Sequence, residues 1–166
     1  MHSKSYRFLT PLIMVLTWAN MEAQTSHPVP RLVVNVTIDQ LRTDYMEAFS
    51  SLFGAGGFNK VMRDGRSYMD AAYPFSHIDR ASAVACIMTG TVPYDNGIVG
   101  EHWMDRKTLR PMYCVDDATC EGWLTSEKYS PVALNVSTVT DELKMATGGR
   151  ALVYSIAPDA DAAILA

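Results

Sequence analysis

The stretch SHIDRASAVACIMTGTVP, residues 76–93, predicts a polar turn followed by a short apolar helix. The helix begins near Arg80 and ends at Gly90, with Pro93 just beyond, because glycine terminates helices and proline cannot continue them. The helix is followed by the ending Thr89-Gly90-x-x-Pro93. The first helical position is a charged residue, Arg80.

Segments on either side of this helix alternate between strand and helix patterns. Residues 31–39 (RLVVNVTID) and 150–157 (RALVYSIA) are rich in apolar and β-branched side chains, which predicts strands buried on both faces. Helical spacing or helix-end signals are found at residues 40–49, at residues 137–149 and from Ala160 onward. This alternation predicts an α/β fold with a mostly parallel sheet flanked by helices.

Two local patterns are less regular. Residues 97–120 contain scattered aromatics and turn residues, which predicts a β-hairpin or an extended excursion. The helix within residues 137–149 has two possible capping pairs, Ser137 with Thr140 or Thr138 with Asp141.

The first residues predict a signal peptide. Lys4 and Arg7 precede the apolar residues 8–19, and a small residue, Ala23, stands at the expected cleavage point. The apolar stretch is short for a bilayer span, so we expect an exported protein, periplasmic or secreted, that is soluble and has no transmembrane helix. The alternative is a buried N-terminal helix. We therefore divide the chain into a leader, residues 1–23, and one domain, residues 24–166.

Composition excludes one class of partner. The chain has 14 basic and 18 acidic residues among 166, a formal charge of −4, and hydrophobic residues make up 48% of it. This is the composition of a globular protein, and the acidic balance argues against nucleic-acid binding.

The three cysteines have different settings. Cys114 and Cys120 are close enough in sequence to close a small loop by a disulfide in an oxidising compartment. Cys86 lies in an apolar helical stretch and is expected to be a buried, inert thiol.

Two charged residues are candidates for a functional site. Asp39 ends the first predicted strand, where it could hold a metal ion or cap the following helix. Arg80 could help the helix N-terminus to bind an anion such as phosphate. The alternative for Arg80 is an ion pair with Asp79 or Asp105.

Several stretches together resemble the front of the alkaline phosphatase superfamily, in its branch of Bacteroidetes-type alkaline phosphatases and type I phosphodiesterases/nucleotide pyrophosphatases. They occur in family order and cover almost all of residues 24–166: VTIDQLRTDYMEAF, GGFNKVMRDG, CIMTGTVPYDNGIVGEHW, SPVALNVSTVTDELKMATGGRALVYSIA and AAILA. The resemblance implies an exported α/β hydrolase with two metal ions, usually zinc. It also implies a Thr or Ser nucleophile at a helix N-terminus, and it matches Asp39 to the first metal ligand.

Other positions depart from the family pattern. The nucleophile falls on Arg80, and a histidine four residues later falls on Val84. The histidine of a His-Gly pair falls on Asn96, and a phosphate-binding Lys and Arg fall on Asp159 and Asp161. Acidic side chains at those two places would repel phosphate. A substitute nucleophile would have to be Ser76 or Ser82, the latter better explained as a local backbone partner.

The resemblance thus implies the N-terminal portion of a metal-dependent phosphoric ester hydrolase, with the remaining metal ligands in parts of the family fold that this sequence does not contain. We expect the chain alone to be inactive, because it is truncated and lacks both the nucleophile and a complete metal pair. Two alternatives stay open. The full-length protein could be an active phosphatase or phosphodiesterase, or the domain could be a non-catalytic module of the cell envelope that binds an anion.

Overall fold

The computed structural model describes residues 29–166, and its elements run in the following order. The helices are α1 (Thr43–Ala48), α2 (Gly57–Asp64), α3 (Arg80–Thr89), α4 (Pro93–Asn96), α5 (Val139–Ala146) and α6 (Ala160–Ile164), with a 3-10 turn at Ser50–Leu52; the strands are β1 (His102–Met104) and β2 (Pro111–Tyr113). The chain divides into two compact units, Met1–Val33 and Val34–Ala166. The described part of the first, residues 29–33, contains no helix or strand. All the named elements belong to the second unit.

Helix α3 confirms the prediction for residues 80–90. Its N-cap is Asp79, whose side chain accepts a hydrogen bond from the Ser82 backbone, while the Ser82 hydroxyl contacts the Asp79 backbone in return. The helix ends at Gly90, whose φ of 69° is the left-handed conformation that glycine adopts without strain. Both ends are therefore set by local sequence.

The core of the second unit is built around α3. Its buried apolar side chains come from α3, from the loop after α4, from the end of the hairpin and from the end of α6: Ala81, Val84, Ala85, Met88, Ile98, Cys114, Val115 and Leu165. These contacts bring the last turn of the described chain against the helix that begins at Arg80.

Strands β1 and β2 form an antiparallel hairpin, which confirms the prediction for residues 97–120. His102 pairs with Tyr113, Trp103 with Met112 and Met104 with Pro111. The connecting turn is closed by Asp105, whose carboxylate accepts hydrogen bonds from the backbone of Lys107 and Thr108.

The last two helices also begin where the sequence indicated. Of the two capping pairs, the structure forms Thr138 with Asp141, and α5 ends at Ala146, three residues before the predicted limit, with Thr147 as its C-cap. Helix α6 begins at Ala160 as predicted.

The predicted parallel strands are not present as strands in the described chain. Residues 32–38 and 150–157 belong to no helix or strand, and the one sheet among the described residues is the β1–β2 hairpin. A strand is stabilised by its ladder partners, and no ladder joins either run to another described segment. Apart from the half-buried Ala151, Val153 and Ala157, their side chains are exposed where burial was predicted, with Val36 at 72% and Tyr154 at 83%.

The cysteines are all free thiols, so the expected Cys114–Cys120 disulfide is not formed. Cys114 is buried in the core, whereas the Cys120 Sγ is 3.3 Å from the Asp117 carbonyl oxygen and 3.4 Å from that of Tyr129. Each thiol thus has its own local setting. Cys86 is half-buried, less enclosed than predicted.

The predicted signal peptide, residues 1–23, lies outside the described residues. Within residues 29–166, none of the helices has the length and apolar character that crossing a membrane requires.

Candidate active site

The guanidinium of Arg80 is bound by three carboxylates. Its Nε and Nη2 atoms lie 3.1 and 3.0 Å from the two carboxylate oxygens of Asp161. Its Nη1 lies 3.1 Å from Asp159 Oδ2, and Nη2 lies 3.5 Å from Glu101 Oε2. We call these four residues the Arg80 cluster. The ion pair expected for Arg80 is present, but its partners are these residues and not Asp79 or Asp105.

Three elements bring the Arg80 cluster together. Arg80 is the first residue of α3, and Asp159 and Asp161 stand at the N-cap and in the first turn of α6. Glu101 immediately precedes β1, and its backbone N–H donates to Asp79 Oδ2 over 2.6 Å. The starts of two helices and the entry to the hairpin therefore meet at one point.

Asp161 is the buried member of the cluster. Its side chain is fully buried, while those of Glu101 and Asp159 are 38% and 49% exposed. The Tyr113 hydroxyl donates to Asp161 Oδ1 over 3.2 Å and accepts from the Asp161 backbone N–H over 3.2 Å. A buried carboxylate is tolerated only when it is paired and hydrogen-bonded, and both conditions hold here.

The charges of the cluster shift the pKa values of its neighbours. The hydrogen bond to Asp161 raises the pKa of Arg80 above its usual range, so its charge is permanent. Burial, followed by the negative charge of Asp161, raises the pKa of Tyr113 to about 12. Burial and the carboxylates of Asp161, Asp79 and Glu101 raise the pKa of Cys114 to about 12. The surroundings thus disfavour further negative charge.

The formal charge of the Arg80 cluster also disfavours the binding of an anion. One guanidinium and three carboxylates sum to −2. A phosphate ester brought to this point would meet like charges, and its oxygens would have to displace carboxylates that already occupy the guanidinium donors.

The N-terminus of α3 is also filled by the protein itself. Asp79 Oδ1 accepts from the Ser82 backbone N–H over 2.9 Å. Burial opposes the charged form of Asp79, but hydrogen bonds from the backbone of Ser82 and Glu101 outweigh it and lower its pKa. The Asp79 carboxylate therefore occupies the place at this helix end where an external anion would bind.

The two candidate substitute nucleophiles are not placed alike. Ser82 is fully buried, and its hydroxyl lies 2.8 Å from Asp79 Oδ1 and accepts from the Asp79 backbone N–H over 3.0 Å. It is the local backbone partner that its position in the first turn indicated. Ser76 is exposed and lies outside α3. Neither hydroxyl forms a hydrogen bond with a member of the Arg80 cluster among the described residues.

Asp39 shares no hydrogen bond or ion pair with the Arg80 cluster among the described residues. It is exposed in a turn with Gln40, whose φ is 58°. It does not cap α1, because that helix begins at Thr43 with Arg42 at the N-cap, so the capping alternative is wrong. Across residues 29–166 no three His, Cys, Asp or Glu side chains converge as a metal site. These donors therefore do not complete a zinc centre, and the metal role of Asp39 stays a prediction.

Two other positions matched to family histidines are structural. Val84 is a core residue of α3, only 8% exposed. Asn96 is fully buried; its side chain donates to the Thr91 carbonyl over 3.1 Å and accepts from the Ile98 N–H over 2.9 Å. Both residues stabilise the frame around α3.

Sequence reasoning missed two members of this site, Glu101 and Tyr113. Glu101 lies 21 positions after Arg80, beyond the rest of α3, α4 and a loop, and no local pattern connects it to Arg80. Tyr113 is one of eight tyrosines and is distinguished only by its contact with Asp161. The strand pairing that places Tyr113 opposite His102 is what brings it to the site.

Comparisons with known proteins identify what this arrangement is similar to. The family model for type I phosphodiesterase/nucleotide pyrophosphatase matches residues 33–164. Alkaline phosphatase PhoV of Synechococcus elongatus is 40% identical over 82% of this chain, and alkaline phosphatase PafA of Elizabethkingia meningoseptica is 30% identical over 96% of it. The chain spans only 25% of PhoV and 30% of PafA.

The crystal structure of wild-type PafA superimposes on 84% of this chain with a TM-score of 0.78, 32% identity and coverage of 28% of the PafA chain. A PafA variant matches with a TM-score of 0.70. That variant has a threonine changed to serine, and an asparagine, a lysine and an arginine changed to alanine. The threonine and asparagine are 21 positions apart, and the lysine and arginine are two positions apart.

Proposed function

Because the chain belongs to the type I phosphodiesterase/nucleotide pyrophosphatase family, within the alkaline phosphatase superfamily, we propose that it carries an altered form of the family's phosphate site. The site is charge-reversed, because acidic residues stand where the family has phosphate-binding cations. It is also self-filled, because the chain's own carboxylates bind the Arg80 guanidinium. Its activity as a phosphoric ester hydrolase would then be absent, because Arg80 stands where the nucleophile is expected. The single observation that supports this proposal is the binding of the Arg80 guanidinium by Asp161, Asp159 and Glu101.

Sequence spacing supports the assignment. Arg80 and Glu101 are 21 positions apart and Asp159 and Asp161 are two apart, as are the two pairs of residues changed together in the PafA variant. On this basis Arg80 replaces a threonine, Glu101 an asparagine, and the two aspartates a lysine and an arginine. All four replacements meet in one ion-pair cluster.

The chemistry of these replacements removes phosphoryl transfer from this site. A guanidinium has no hydroxyl oxygen to attack phosphorus, and it remains protonated at any pH in use. The loss of two cations removes the charges that hold a phosphate group, and the gain of three carboxylates opposes its approach. An Arg80 side chain already bound by carboxylates also disfavours the alternative of an anion-binding module.

Three finer parts of the proposal rest on the sequence alone. We propose export through the leader of residues 1–23, a periplasmic or secreted location, and Asp39 as one ligand of a metal site. The described donors do not complete a zinc site, so no reaction step is assigned to metal here. Since the chain spans about a quarter of PhoV, the activity of a longer protein with this domain is a separate proposal.

Phosphatase assays with phosphomonoesters and phosphodiesters, with zinc added, test the proposal. We expect no turnover and no stabilisation by inorganic phosphate. Phosphate-dependent stabilisation of the chain would contradict a self-filled site. So would ester hydrolysis that survives Arg80→Ala and is lost in Ser82→Ala.

A matched gain-of-binding variant sharpens this test. The quadruple change Arg80→Thr, Glu101→Asn, Asp159→Lys and Asp161→Arg restores the residue types found in PafA. We expect phosphate to stabilise this variant, by about 2.7 kcal/mol at a phosphate concentration 100 times the dissociation constant. Thermal unfolding of the parent chain in the same phosphate series is the control.

A further inference from the structure

Two projections of the second unit carry opposite charges. We call residues 105–110 (DRKTLR) the basic turn; it has three basic residues and one acidic residue, a formal charge of +2. We call residues 116–128 (DDATCEGWLTSEK) the acidic loop; it has four acidic residues and one basic residue, a formal charge of −3. The hairpin region therefore carries a strong positive and a strong negative projection within a short stretch of chain.

The basic turn is held in shape by its own hydrogen bonds. The Asp105 backbone N–H donates to the Arg110 carbonyl oxygen over 2.9 Å, and the Leu109 N–H donates to the Asp105 carbonyl oxygen over 2.8 Å. Leu109 has a φ of 54°, a left-handed conformation that costs a leucine free energy, and its side chain is 74% exposed. The turn thus presents an apolar side chain among exposed cations, those of Arg106, Lys107 and Arg110.

The acidic loop is closed at its base and exposed at its tip. The Asp117 backbone N–H donates to the Lys128 carbonyl oxygen over 2.9 Å, and the Ser130 hydroxyl donates to Asp117 Oδ2 over 2.6 Å. At the tip, Trp123 and Leu124 are 88% and 87% exposed, and Leu124 has a φ of 60°. The loop is therefore an ordered projection that holds two large apolar side chains in solvent.

The two projections do not satisfy each other's charges within one copy. They leave opposite ends of β2, because the basic turn precedes this strand and the acidic loop follows it. In the part of the chain that the structure describes, no ion pair includes the exposed charged side chains of either projection: Arg106, Lys107, Arg110, Asp116, Glu121, Glu127 and Lys128.

We propose that the basic turn of one copy docks on the acidic loop of a second copy, forming a two-fold dimer with two equivalent contacts. Because the complementary projections lie at opposite ends of one strand, an antiparallel arrangement of two copies brings each basic turn to the other copy's acidic loop. Each contact combines apolar anchors, Leu109 on one side and Trp123 with Leu124 on the other, with a rim of opposite charges.

Other occupants fit the two projections less well. Nucleic acids and anionic lipid headgroups carry phosphate, which the charge of the acidic loop repels. A different basic protein would cover the acidic loop and leave the basic turn without a partner. A second copy of this chain covers both projections at once, and it brings an exposed leucine to the exposed tryptophan.

Charge reversal tests the inference. One variant, Arg106→Glu with Lys107→Glu, makes the basic turn acidic, and the other, Glu121→Lys with Glu127→Lys, makes the acidic loop basic. We expect the parent chain to dimerise in analytical ultracentrifugation at low ionic strength, and either variant alone to have a dissociation constant at least about 10-fold higher, because like charges then meet at both contacts. An equimolar mixture of the two variants should recover dimers, since each contact again joins opposite charges.

Two matched controls separate these contacts from general effects. Lys144→Glu makes the same charge change at an exposed lysine of α5 and should leave the dissociation constant unchanged, whereas Lys107→Glu should raise it. Trp123→Ala and Tyr94→Ala each remove an aromatic side chain that is highly exposed, 88% and 92% respectively. We expect Trp123→Ala to weaken dimerisation about 10-fold and Tyr94→Ala to leave it unchanged.

Several results would overturn the inference. These are a parent chain that stays monomeric up to millimolar concentration, assembly beyond the dimer, a variant mixture that stays monomeric, and equal effects within either control pair. Dimerisation should also weaken as sodium chloride is raised to about 0.5 M, because salt screens charges at the rim. Association that salt leaves unchanged would mean that apolar surface elsewhere on the chain drives it. The readout involves no phosphate and no turnover, so its outcome is independent of the charge-reversed site proposed above.

Discussion

Arg80 and Asp161, 81 positions apart in the sequence, form a two-point ion pair that joins the start of α3 to the start of α6. The carboxylate is fully buried, while the guanidinium side chain is 27% exposed. A paired arginine and carboxylate in this geometry form two parallel charge-assisted hydrogen bonds. The contact therefore holds the last helix of the described chain against the core.

Removal of the buried carboxylate should be costly. We expect Asp161→Ala to lower the free energy of unfolding by about 3 kcal/mol, because it leaves Arg80 and the Tyr113 hydroxyl without their buried partner. Asp159→Ala is the matched control on the same helix; its carboxylate is half exposed, so its loss should cost less than about 1 kcal/mol. Urea unfolding of both variants measures the difference, and equal costs would contradict the assigned roles.

Alkaline pH should destabilise the chain through Cys114 and Tyr113. Both groups are neutral when folded, with pKa values raised to about 12, whereas the ordinary values are 9.0 for cysteine and 10.0 for tyrosine. Stability is therefore complete below pH 9, because deprotonation then favours neither state, and it falls as pH rises from about 9 to 12. Urea midpoints across this range measure the slope, which should be shallower in Tyr113→Phe. A slope unchanged in that variant would refute the role of Tyr113.

The N-cap of α3 should contribute through two hydrogen bonds. We expect Asp79→Ala to lower the free energy of unfolding by about 1–2 kcal/mol, because the backbone N–H groups of Ser82 and Glu101 lose their acceptor. Asp79→Asn keeps an acceptor oxygen at the cap and should cost less.

Asp79 should also make the stability of the chain depend on pH in the acidic range. Its pKa is lowered in the folded state, so its contribution is present above the ordinary value of 3.8 and is lost as pH falls below it. Unfolding measured between pH 5 and 2 should show a smaller loss in Asp79→Asn than in the parent. Parallel pH profiles of Asp79→Asn and the parent chain would contradict a charged Asp79 at the N-cap.

Two glycines form a matched pair for backbone strain. Gly97 has a φ of +87°, and a Cβ there would lie 2.6 Å from Asn135 Nδ2 and 2.7 Å from the Ala133 carbonyl oxygen. Gly90 has a φ of +69° but no atom within 4 Å of such a Cβ. We expect Gly90→Ala to cost about 1 kcal/mol from strain alone and Gly97→Ala to cost clearly more, as measured by thermal unfolding. A smaller effect at Gly97 would show that the loop at Asn135 moves freely.

Local signals predicted the elements that depend on local interactions. The start of α3, its end at Gly90 and the Thr138–Asp141 cap follow from side chains that bond backbone groups within one turn. The departures at positions 80, 159 and 161 were also found from the sequence, because these residues differ from the pattern of the family that the sequence resembles. What the pattern could not show is that these residues contact one another.

The structural match to PafA confirms the alkaline-phosphatase-like fold, whereas the two strands and the ion-pair partners that the described chain does not show depend on distant residues. Residues 31–39 and 150–157 carry strand-forming side chains, but a parallel strand needs a neighbour in register, and none is formed in the described chain. The expected ion pair of Arg80 with Asp79 or Asp105 was wrong for a similar reason. Asp79 is already engaged by backbone N–H groups and Asp105 by its own turn, so the guanidinium reaches acids from another helix.

The Arg80 cluster limits the routes by which this site could change over evolutionary time. A return to threonine at position 80 alone would leave Asp161 buried without its cation, beside two further carboxylates. A return to lysine at position 159 alone would place two cations side by side. On the proposed assignment, these two single reversions are each worse than the present state, so the order of substitutions at positions 80, 159 and 161 matters as much as their identity.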